Sequence, residues 1–314
     1  MTSLRARRTS PRRAGGVRVP PALMRLGVRQ LGRRVLDPGL PWEVQRKRLD
    51  QVFRASPVPR GTAVVTSVMN GVRTEVVVAS GQRPERTVVH FHGGGYCVGS
   101  ALLARAWAAH LSAQAGCRVV LPEYRLAPAH PHPAALDDAR DVMDAVFGDA
   151  DPGSVVVSGD SAGGGLALSF LLALRDRGGQ LPAGCVLLSA WLDLSRDRRA
   201  VPDLVRRDVV LSPRWLEACA TGYADPSAWA DPSVSPLLAS HAGLPPVLIQ
   251  AASDDLLAPD AADLAARASA AGVDVTYTRW PRIWHGFALQ PGLVAAADSA
   301  LSQAAWFVKT VTGC

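Results

Sequence analysis

The spacing of hydrophobic positions changes near residue 60 and divides the chain into two regions. Before this point apolar residues recur every three or four positions, which predicts amphipathic helices over 22–36 and 42–53 with a Pro-Gly break between them. The first helix carries an apolar stripe opposite a row of arginines, and the stripe is formed by Met24, Val28, Leu31 and Val35. We interpret residues 21–55 as cap helices that pack against a domain formed by residues 56–314.

Strand-like and helical segments alternate over the rest of the chain. The dipeptide Asn70-Gly71 predicts a tight hairpin between the first two strands. Strands are predicted at 63–68, 74–78, 87–91, 118–122, 154–158, 184–189, 246–251 and 274–279. Helices are predicted at 101–114, 133–147, 162–177, 259–271 and 292–308. This order is typical of an α/β fold, with a mostly parallel sheet between helices and the hairpin at one edge. Residues 192–240 interrupt the alternation, and we expect them to form a second cap element.

Basic residues are concentrated at the start of the chain. The formal net charge is +7, yet residues 1–60 hold 15 Lys and Arg against 3 Asp and Glu, which leaves 19 against 24 for the remainder. The main domain is therefore mildly acidic and lacks the basic face of a nucleic-acid-binding protein. Residues 1–20 combine six arginines with four Gly or Pro and show no apolar period, which predicts a disordered basic arm.

Two further features bear on the location of the protein. No stretch reaches the ~18 apolar residues of a membrane span, and no apolar signal segment follows the early arginines. The five cysteines, at positions 97, 117, 185, 219 and 314, show neither a CxxC pair nor an evident disulfide framework. We expect a cytoplasmic protein without stable membrane insertion.

The first candidate for chemistry is a serine at a strand-to-helix turn. The predicted strand that ends near residue 158 runs into Gly159-Asp160-Ser161-Ala162-Gly163, and a helical pattern follows. Glycines two residues before and after a serine permit the sharp turn of a nucleophile elbow, which places the hydroxyl at a helix N-terminus. The spacing alone is a weak signal, and the flanking strand and helix strengthen it.

A glycine run provides an independent signal. His92-Gly93-Gly94-Gly95 follows the 87–91 strand and matches the HGGG-type segment whose backbone N–H groups stabilise an oxyanion. We expect the N–H groups of Gly93, Gly94 and Ala162 to form this oxyanion hole. A phosphate-binding glycine turn is the alternative, but the run lacks both GxGxxG and GK[ST].

A nucleophilic serine also needs a base and an acid, which follow it in the chain in elbow enzymes. His285 lies after the 274–279 strand and is the expected base, while His241 precedes a strand and is expected to be structural. The acid is expected after the 246–251 strand, where Asp254 and Asp255 are both acceptable on spacing. Asp260 lies farther along, at a predicted helix start, where an N-cap role is expected.

Taken together, these motifs resemble those of the bacterial hormone-sensitive-lipase-like esterases of the α/β-hydrolase superfamily. The resemblance covers roughly residues 40–310 and includes the segments 92–96, 124–128, 133–135, 159–164, 231–236, 253–256 and 284–287. It implies that Asp254 is the catalytic aspartate, that Asp255 is its neighbour, and that the N-terminal helices form part of a cap. Ala252 and Ala129 replace a common Gly and a common Glu of the family, and neither change removes a catalytic atom.

The resemblance implies a serine hydrolase that cleaves carboxylic esters of small, short-acyl substrates with water and needs neither cofactor nor metal. The His-x-His spacings at His90, His92, His130 and His132 have no accompanying cysteine or carboxylate pattern, so no metal site is predicted. Three alternatives stay open. The same machinery could hydrolyse an N-acetyl group or another amide of a metabolite, the fold could serve as a non-catalytic small-molecule receptor, or a lyase or cyclase could use the oxyanion hole without acyl transfer. Homodimer formation is also left open.

Overall fold

The computed structural model describes residues 20–81 and 84–313, and the predicted basic arm lies almost entirely outside them. Eight strands form one sheet in the order β1-β2-β4-β3-β5-β6-β7-β8. The strands are β1 (Ala63–Met69), β2 (Val72–Val78), β3 (Arg86–Phe91), β4 (Cys117–Pro122), β5 (Val155–Asp160), β6 (Gly184–Leu188), β7 (Val247–Asp254) and β8 (Val275–Trp284). The β1–β2 hairpin and the β2–β4 pair are antiparallel, and every later pairing is parallel. The predicted α/β fold, with the hairpin at one edge, is confirmed.

Helices cover both faces of the sheet and enclose two apolar cores. The helices of the main domain are α3 (Ala101–Ala115), α4 (Ala134–Asp149), α5 (Ala162–Asp176), α8 (Ala258–Ala270) and α9 (Ala295–Val311). Successive strand residues point to opposite faces, so Val156 packs with α3 and α9 while Val157 packs with α4, α5 and α8. Burial on both faces explains why the central strands read as continuous apolar runs.

Two separate parts of the chain pack above the carboxyl edge of the parallel strands. The first consists of α1 (Pro21–Val35) and α2 (Trp42–Arg54), as the helical spacing predicts. The second is the 192–240 segment, which contains α6 (Pro202–Arg207), α7 (Pro213–Tyr223) and several short 3₁₀ turns. We refer to these two parts together as the cap. In the described ranges no helix is both long and apolar enough to cross a bilayer.

Candidate active site

Ser161 occupies a sharp turn between the central strand β5 and helix α5. Its backbone has φ 52° and ψ −124°, a conformation that is strained for a residue with a side chain. The turn requires glycine on both sides, because a Cβ at Gly159 would lie 2.1 Å from the Gly163 carbonyl oxygen and one at Gly163 would lie 2.0 Å from that of Phe91. The predicted elbow is therefore present, and it presents the hydroxyl above the end of the sheet.

A chain of two hydrogen bonds leads from this serine to a buried carboxylate. His285 Nε2 lies 3.1 Å from Ser161 Oγ, and His285 Nδ1 lies 2.9 Å from Asp255 Oδ2. The histidine follows β8 directly and is 8% exposed, while Asp255 is fully buried. Because the carboxylate accepts from Nδ1, the neutral ring carries its proton there and leaves Nε2 as the acceptor for the serine proton.

The assignment of the acid to Asp254 is wrong in this geometry. Asp254 is the last residue of β7, and its carboxylate accepts from Arg25 of α1 at 2.9 Å and from Arg207 of α6 at 3.4 Å. Neighbouring side chains along an extended strand point in opposite directions, so the two aspartates cannot serve the same partner. Asp255, the first residue after the strand, faces His285, and Asp254 faces the cap.

A second carboxylate lies close behind Asp255. Asp208, which follows α6, accepts from the backbone N–H of Leu256 at 2.8 Å and from those of Val210 and Leu211. Burial and the charge of Asp255 raise the pKa of Asp208 to about 6. Sequence reasoning missed this residue because the fold, and not a motif, brings residues 208 and 255 together.

Opposing influences act on the pKa of His285. Burial lowers this pKa, because it disfavours the imidazolium, but the charge of Asp255, its hydrogen bond and the charge of Asp208 together raise it by more. The pKa of His285 therefore lies above the ordinary histidine value. A base with a raised pKa holds a proton more firmly once it has removed one from Ser161.

The glycine run follows β3 and lies beside Ser161, but its first N–H group is already engaged. Gly93 N–H donates to Asp160 Oδ1 at 2.9 Å, so its predicted place in the oxyanion hole is not supported. Gly94 and Gly95 have φ of 120° and 60°, and a left-handed glycine pair can turn successive N–H groups toward one concave surface. Within the described residues, no protein acceptor meets the N–H groups of Gly94, Gly95 or Ala162.

Asp160 is fixed by a histidine that the motif analysis considered only as a metal ligand. His90 Nε2 lies 3.1 Å from Asp160 Oδ1, and His90 Nδ1 lies 3.0 Å from Ser158 Oγ. Both side chains are buried, and Asp160 in turn accepts from Gly93. A hydrogen-bonded network of this kind fixes the backbone it reaches. His90 and Asp160 thereby connect the elbow to the glycine run.

His92, the first residue of the glycine motif, supports that run from the other side. Its Nδ1 lies 2.8 Å from the Gly93 carbonyl oxygen, and its ring stacks on Tyr124 with centroids 4.3 Å apart. Tyr124 Oη donates to the His92 carbonyl at 2.7 Å. Burial lowers the pKa of His92, which keeps the ring neutral in its structural role.

The cavity above Ser161 is bounded mainly by apolar side chains of the cap. Its volume is about 140 Å³. Helices α1 and α2 and the 192–240 segment supply most of the apolar wall, through Val28, Leu31, Val35, Leu36, Leu49, Val52, Phe53, Val210, Leu211 and Trp215. Ser161, His285 and Gly94 lie at its base. The first cap part therefore contacts the same cavity as the reactive groups.

Helix α2 also holds the glycine segment in place. Arg46 donates to the carbonyl oxygens of Cys97 and Ala127, each at 2.9 Å. The preceding residue, Gln45, is buried and accepts from the indole N–H of Trp215 at 2.9 Å. Arg46 therefore extends from α2 to the backbone of the main domain.

The remaining candidates take other partners. Asp260 is the third residue of α8 and accepts hydrogen bonds from both terminal nitrogens of Arg198, at 2.7 and 2.8 Å, so the N-cap expectation is wrong. His241 Nε2 contacts the carbonyl of Pro236, and His132 contacts Tyr223 and Ser233. In the described part of the chain, no group of three His, Cys, Asp or Glu side chains is arranged to hold a metal ion.

The fold and this arrangement of groups define an α/β hydrolase, and comparisons with known proteins agree. A family model described as alpha/beta hydrolase fold matches residues 88–289. LipR of Mycobacterium tuberculosis is 34% identical over 90% of this chain and 87% of its own length. An acetyl-hydrolase of Streptomyces hygroscopicus is 33% identical over 87% of this chain and 90% of its own. A solved esterase of the bacterial hormone-sensitive lipase family superposes with a TM-score of 0.88 at 30% identity, covering 94% of this chain and all of that one.

The chain belongs to the bacterial hormone-sensitive-lipase-like esterases of the α/β-hydrolase superfamily. It is a carboxylic ester hydrolase, as the motifs predict.

Proposed function

We propose that the protein is a serine esterase of small, short-acyl substrates, with Ser161, His285 and Asp255 as its catalytic triad. The observation that carries the proposal is the continuous hydrogen-bond chain from Ser161 Oγ through the imidazole to Asp255. This is the connectivity that nucleophilic catalysis by serine requires.

In the first half-reaction Ser161 Oγ attacks the carbonyl carbon of the ester and His285 Nε2 takes its proton. The negative charge on the carbonyl oxygen is stabilised by backbone N–H groups, and the candidates are those of Gly94, Gly95 and Ala162, which meet no acceptor among the described residues. His285 then gives its proton to the departing alkoxide, which leaves an acyl group on Ser161. Water, deprotonated by His285, releases that acyl group in the second half-reaction.

The size of the cavity supports short acyl chains. A protein cavity of roughly 150 Å³ holds a molecule the size of benzene, and this one measures about 140 Å³. Each buried CH₂ can stabilise the transition state by up to about 0.8 kcal/mol, but only while apolar wall remains to cover it. The rate should therefore rise over the first few carbons and then decline.

Labelling with a fluorophosphonate tests the reaction class directly, since the reagent phosphonylates an activated serine. We expect the label on the peptide containing Ser161 and complete loss of labelling in Ser161→Ala. Ser158→Ala is the matched control, because its hydroxyl lies in the same segment but contacts His90. Absence of label on Ser161 in protein that melts cooperatively would overturn the proposal and favour the receptor alternative.

Hydrolysis of an N-acetyl amide is the second candidate function, because the similar protein of Streptomyces hygroscopicus is an acetyl-hydrolase. The same attack applies to an amide, but the leaving amine must be protonated before the C–N bond breaks, and His285 is the available acid. Matched substrates separate the two functions, for example the O-acetyl and N-acetyl derivatives of one amino alcohol. We expect the ester to be cleaved with the higher kcat/KM, and the reverse order would favour the amide.

A further inference from the structure

The cap holds the turn that carries the proposed catalytic acid, and we call residues 254–257 the acid turn. On one side of Asp255, the side chain of Asp254 accepts hydrogen bonds from two arginines of the cap. On the other side, the backbone N–H of Leu256 donates to Oδ2 of Asp208, a cap residue, at 2.8 Å. The cap therefore contacts the acid turn at the positions immediately before and after Asp255.

The carboxylate of Asp208 also holds part of the cavity wall. Its Oδ1 atom accepts from the backbone N–H groups of Val210 at 2.8 Å and of Leu211 at 2.9 Å. Both of these residues line the cavity above Ser161. Asp208 is only 8% exposed, so its hydrogen bonds are largely shielded from water. One oxygen of this side chain therefore holds the cavity wall, and the other holds the acid turn.

A carboxylate suits this bridging position better than an amide of the same shape. An ionised aspartate has two oxygens that only accept hydrogen bonds, whereas an amide has one acceptor and one donor and would present an N–H to one of the two backbone segments. Burial and the charge of Asp255 raise the pKa of Asp208, while the hydrogen bonds from Leu256 and Leu211 lower it. The bonds that join the wall to the acid turn therefore also stabilise the ionised form that makes them.

Asp255 is oriented through the backbone of its own turn. Its Oδ1 atom accepts from the N–H of Leu257 at 2.8 Å, and its Oδ2 atom faces His285 Nδ1 at 2.9 Å. The intervening peptide N–H, that of Leu256, is the one that donates to Asp208. A shift of this peptide would displace the carboxylate from the imidazole, and a misplacement of about 1 Å can lower a rate by roughly 10²-fold.

We propose that Asp208 is a positioning residue of the reaction, which couples the cavity wall of the cap to the orientation of Asp255. An acyl group that packs against Val210 and Leu211 then stabilises the same segment that holds the acid turn. Occupation of the cavity should therefore promote the chemical step as well as binding, which raises kcat. This inference rests on the proposed catalytic triad and adds a link between substrate contact and its acid.

A double-mutant cycle with p-nitrophenyl butyrate tests the coupling, at a pH on the alkaline plateau of the rate profile of every variant. Asp208→Ala removes both acceptors, and we expect kcat to fall by about 10–100-fold with less than about a threefold change in KM. Leu211→Ala shortens a wall residue of the same segment, and it should lower kcat by about threefold or more in wild type but hardly at all in Asp208→Ala. Leu49→Ala is the matched control, because Leu49 lines the cavity from α2, and its effect should add to that of Asp208→Ala.

Asp208→Asn keeps the shape of the side chain, and it replaces Asp208→Ala in the cycle if the alanine variant does not melt cooperatively. We expect kcat on the plateau to fall by about 3–10-fold in Asp208→Asn. The low-field proton NMR signal of His285 Nδ1–H should broaden, because its hydrogen bond to Asp255 is less well maintained. Asp225→Asn is the control, since Asp225 is exposed and accepts from the N–H of Ser227 in the same cap segment, and it should change neither kcat nor the signal.

The possible outcomes separate this coupling from the esterase function. Additive effects at positions 208 and 211, or an unchanged kcat in Asp208→Asn, would show that Asp208 does not couple the wall to the acid, and the esterase function would stand. Full activity of Asp255→Asn would instead remove the proposed triad and this inference with it.

Discussion

The carboxyl edge of the sheet and the cap above it are held in place by different kinds of interaction. At the sheet edge, Ser161, Asp255 and His285 follow directly from three parallel strands, and the ladders between those strands fix their backbones. Among the described residues the cap joins no strand ladder, and it is attached by apolar packing, as at Trp215 and Leu49, together with long side chains such as Arg46 on two carbonyl oxygens and Arg25 on Asp254. The reactive residues are therefore positioned by a hydrogen-bonded strand ladder, whereas the wall that contacts the substrate is positioned by side-chain packing and side-chain hydrogen bonds.

The largest expected effect distinguishes Asp255, which contacts His285 at the sheet edge, from Asp254, which contacts the cap. Asp255→Asn should lower kcat by roughly 10³–10⁴-fold, because the amide no longer holds the correct tautomer of His285. Asp254→Asn should change kcat less than about tenfold and act mainly on KM, since it weakens contacts to Arg25 and Arg207. Kinetics with p-nitrophenyl acetate provide the measurement. If Asp254→Asn proves to be the inactive variant, our assignment of the acid is wrong.

The next effect concerns the attachment of the cap to the glycine segment. Arg46→Met removes both hydrogen bonds to Cys97 and Ala127 but retains the aliphatic stem, and we expect kcat/KM to fall by about 10–100-fold. Arg48→Met is a matched control, because Arg48 lies on the same helix and donates to the exposed carbonyl of Arg34. Equal losses in the two variants would mean that α2 does not support the oxyanion segment.

A smaller effect tests whether the cap sets acyl length. Wild-type enzyme should show its highest kcat/KM on p-nitrophenyl esters of roughly two to eight carbons. Phe53→Ala opens the wall contributed by α2 and should move this optimum toward longer chains, whereas Val58→Ala, at an exposed position outside the cavity wall, should not. An optimum at twelve or more carbons in the wild type would contradict the short-acyl assignment.

The smallest effect is a shift in pH dependence. His285 must be unprotonated to act as a base, so its raised pKa places the acidic limb of kcat/KM above the ordinary histidine value. Asp208→Asn removes one of the charges that raise this pKa, and the limb should move to lower pH. Glu217→Gln, which removes an exposed carboxylate paired with Arg199, should leave the limb in place. If the acidic limb instead moves to higher pH in Asp208→Asn, Asp208 does not raise the pKa of His285 in the way we expect.

Sequence patterns predict the strands and the elbow better than they predict the side-chain contacts around the site. Hydrophobic spacing located all eight strands and the glycine spacing located the elbow, because burial dictates the first and local turn chemistry the second. Spacing could not choose between Asp254 and Asp255, since the choice depends on which strand face meets His285. The glycine run was recognised, but the donation from Gly93 to Asp160 depends on packing between two strands. Asp208 and Arg46 were missed as partners of the site because only tertiary structure brings them there.

The contact between Arg25 and Asp254 spans 229 residues of chain, and this has a consequence for biosynthesis. At ribosomal rates of 5–20 residues per second, α1 waits roughly 10–45 s after its own synthesis before its carboxylate partner exists. Two leucines of this helix, Leu23 and Leu26, are more than half exposed even in the finished fold. During translation this helix therefore exposes apolar surface that favours aggregation, and we expect the yield of folded enzyme to depend on chaperone supply and elongation speed.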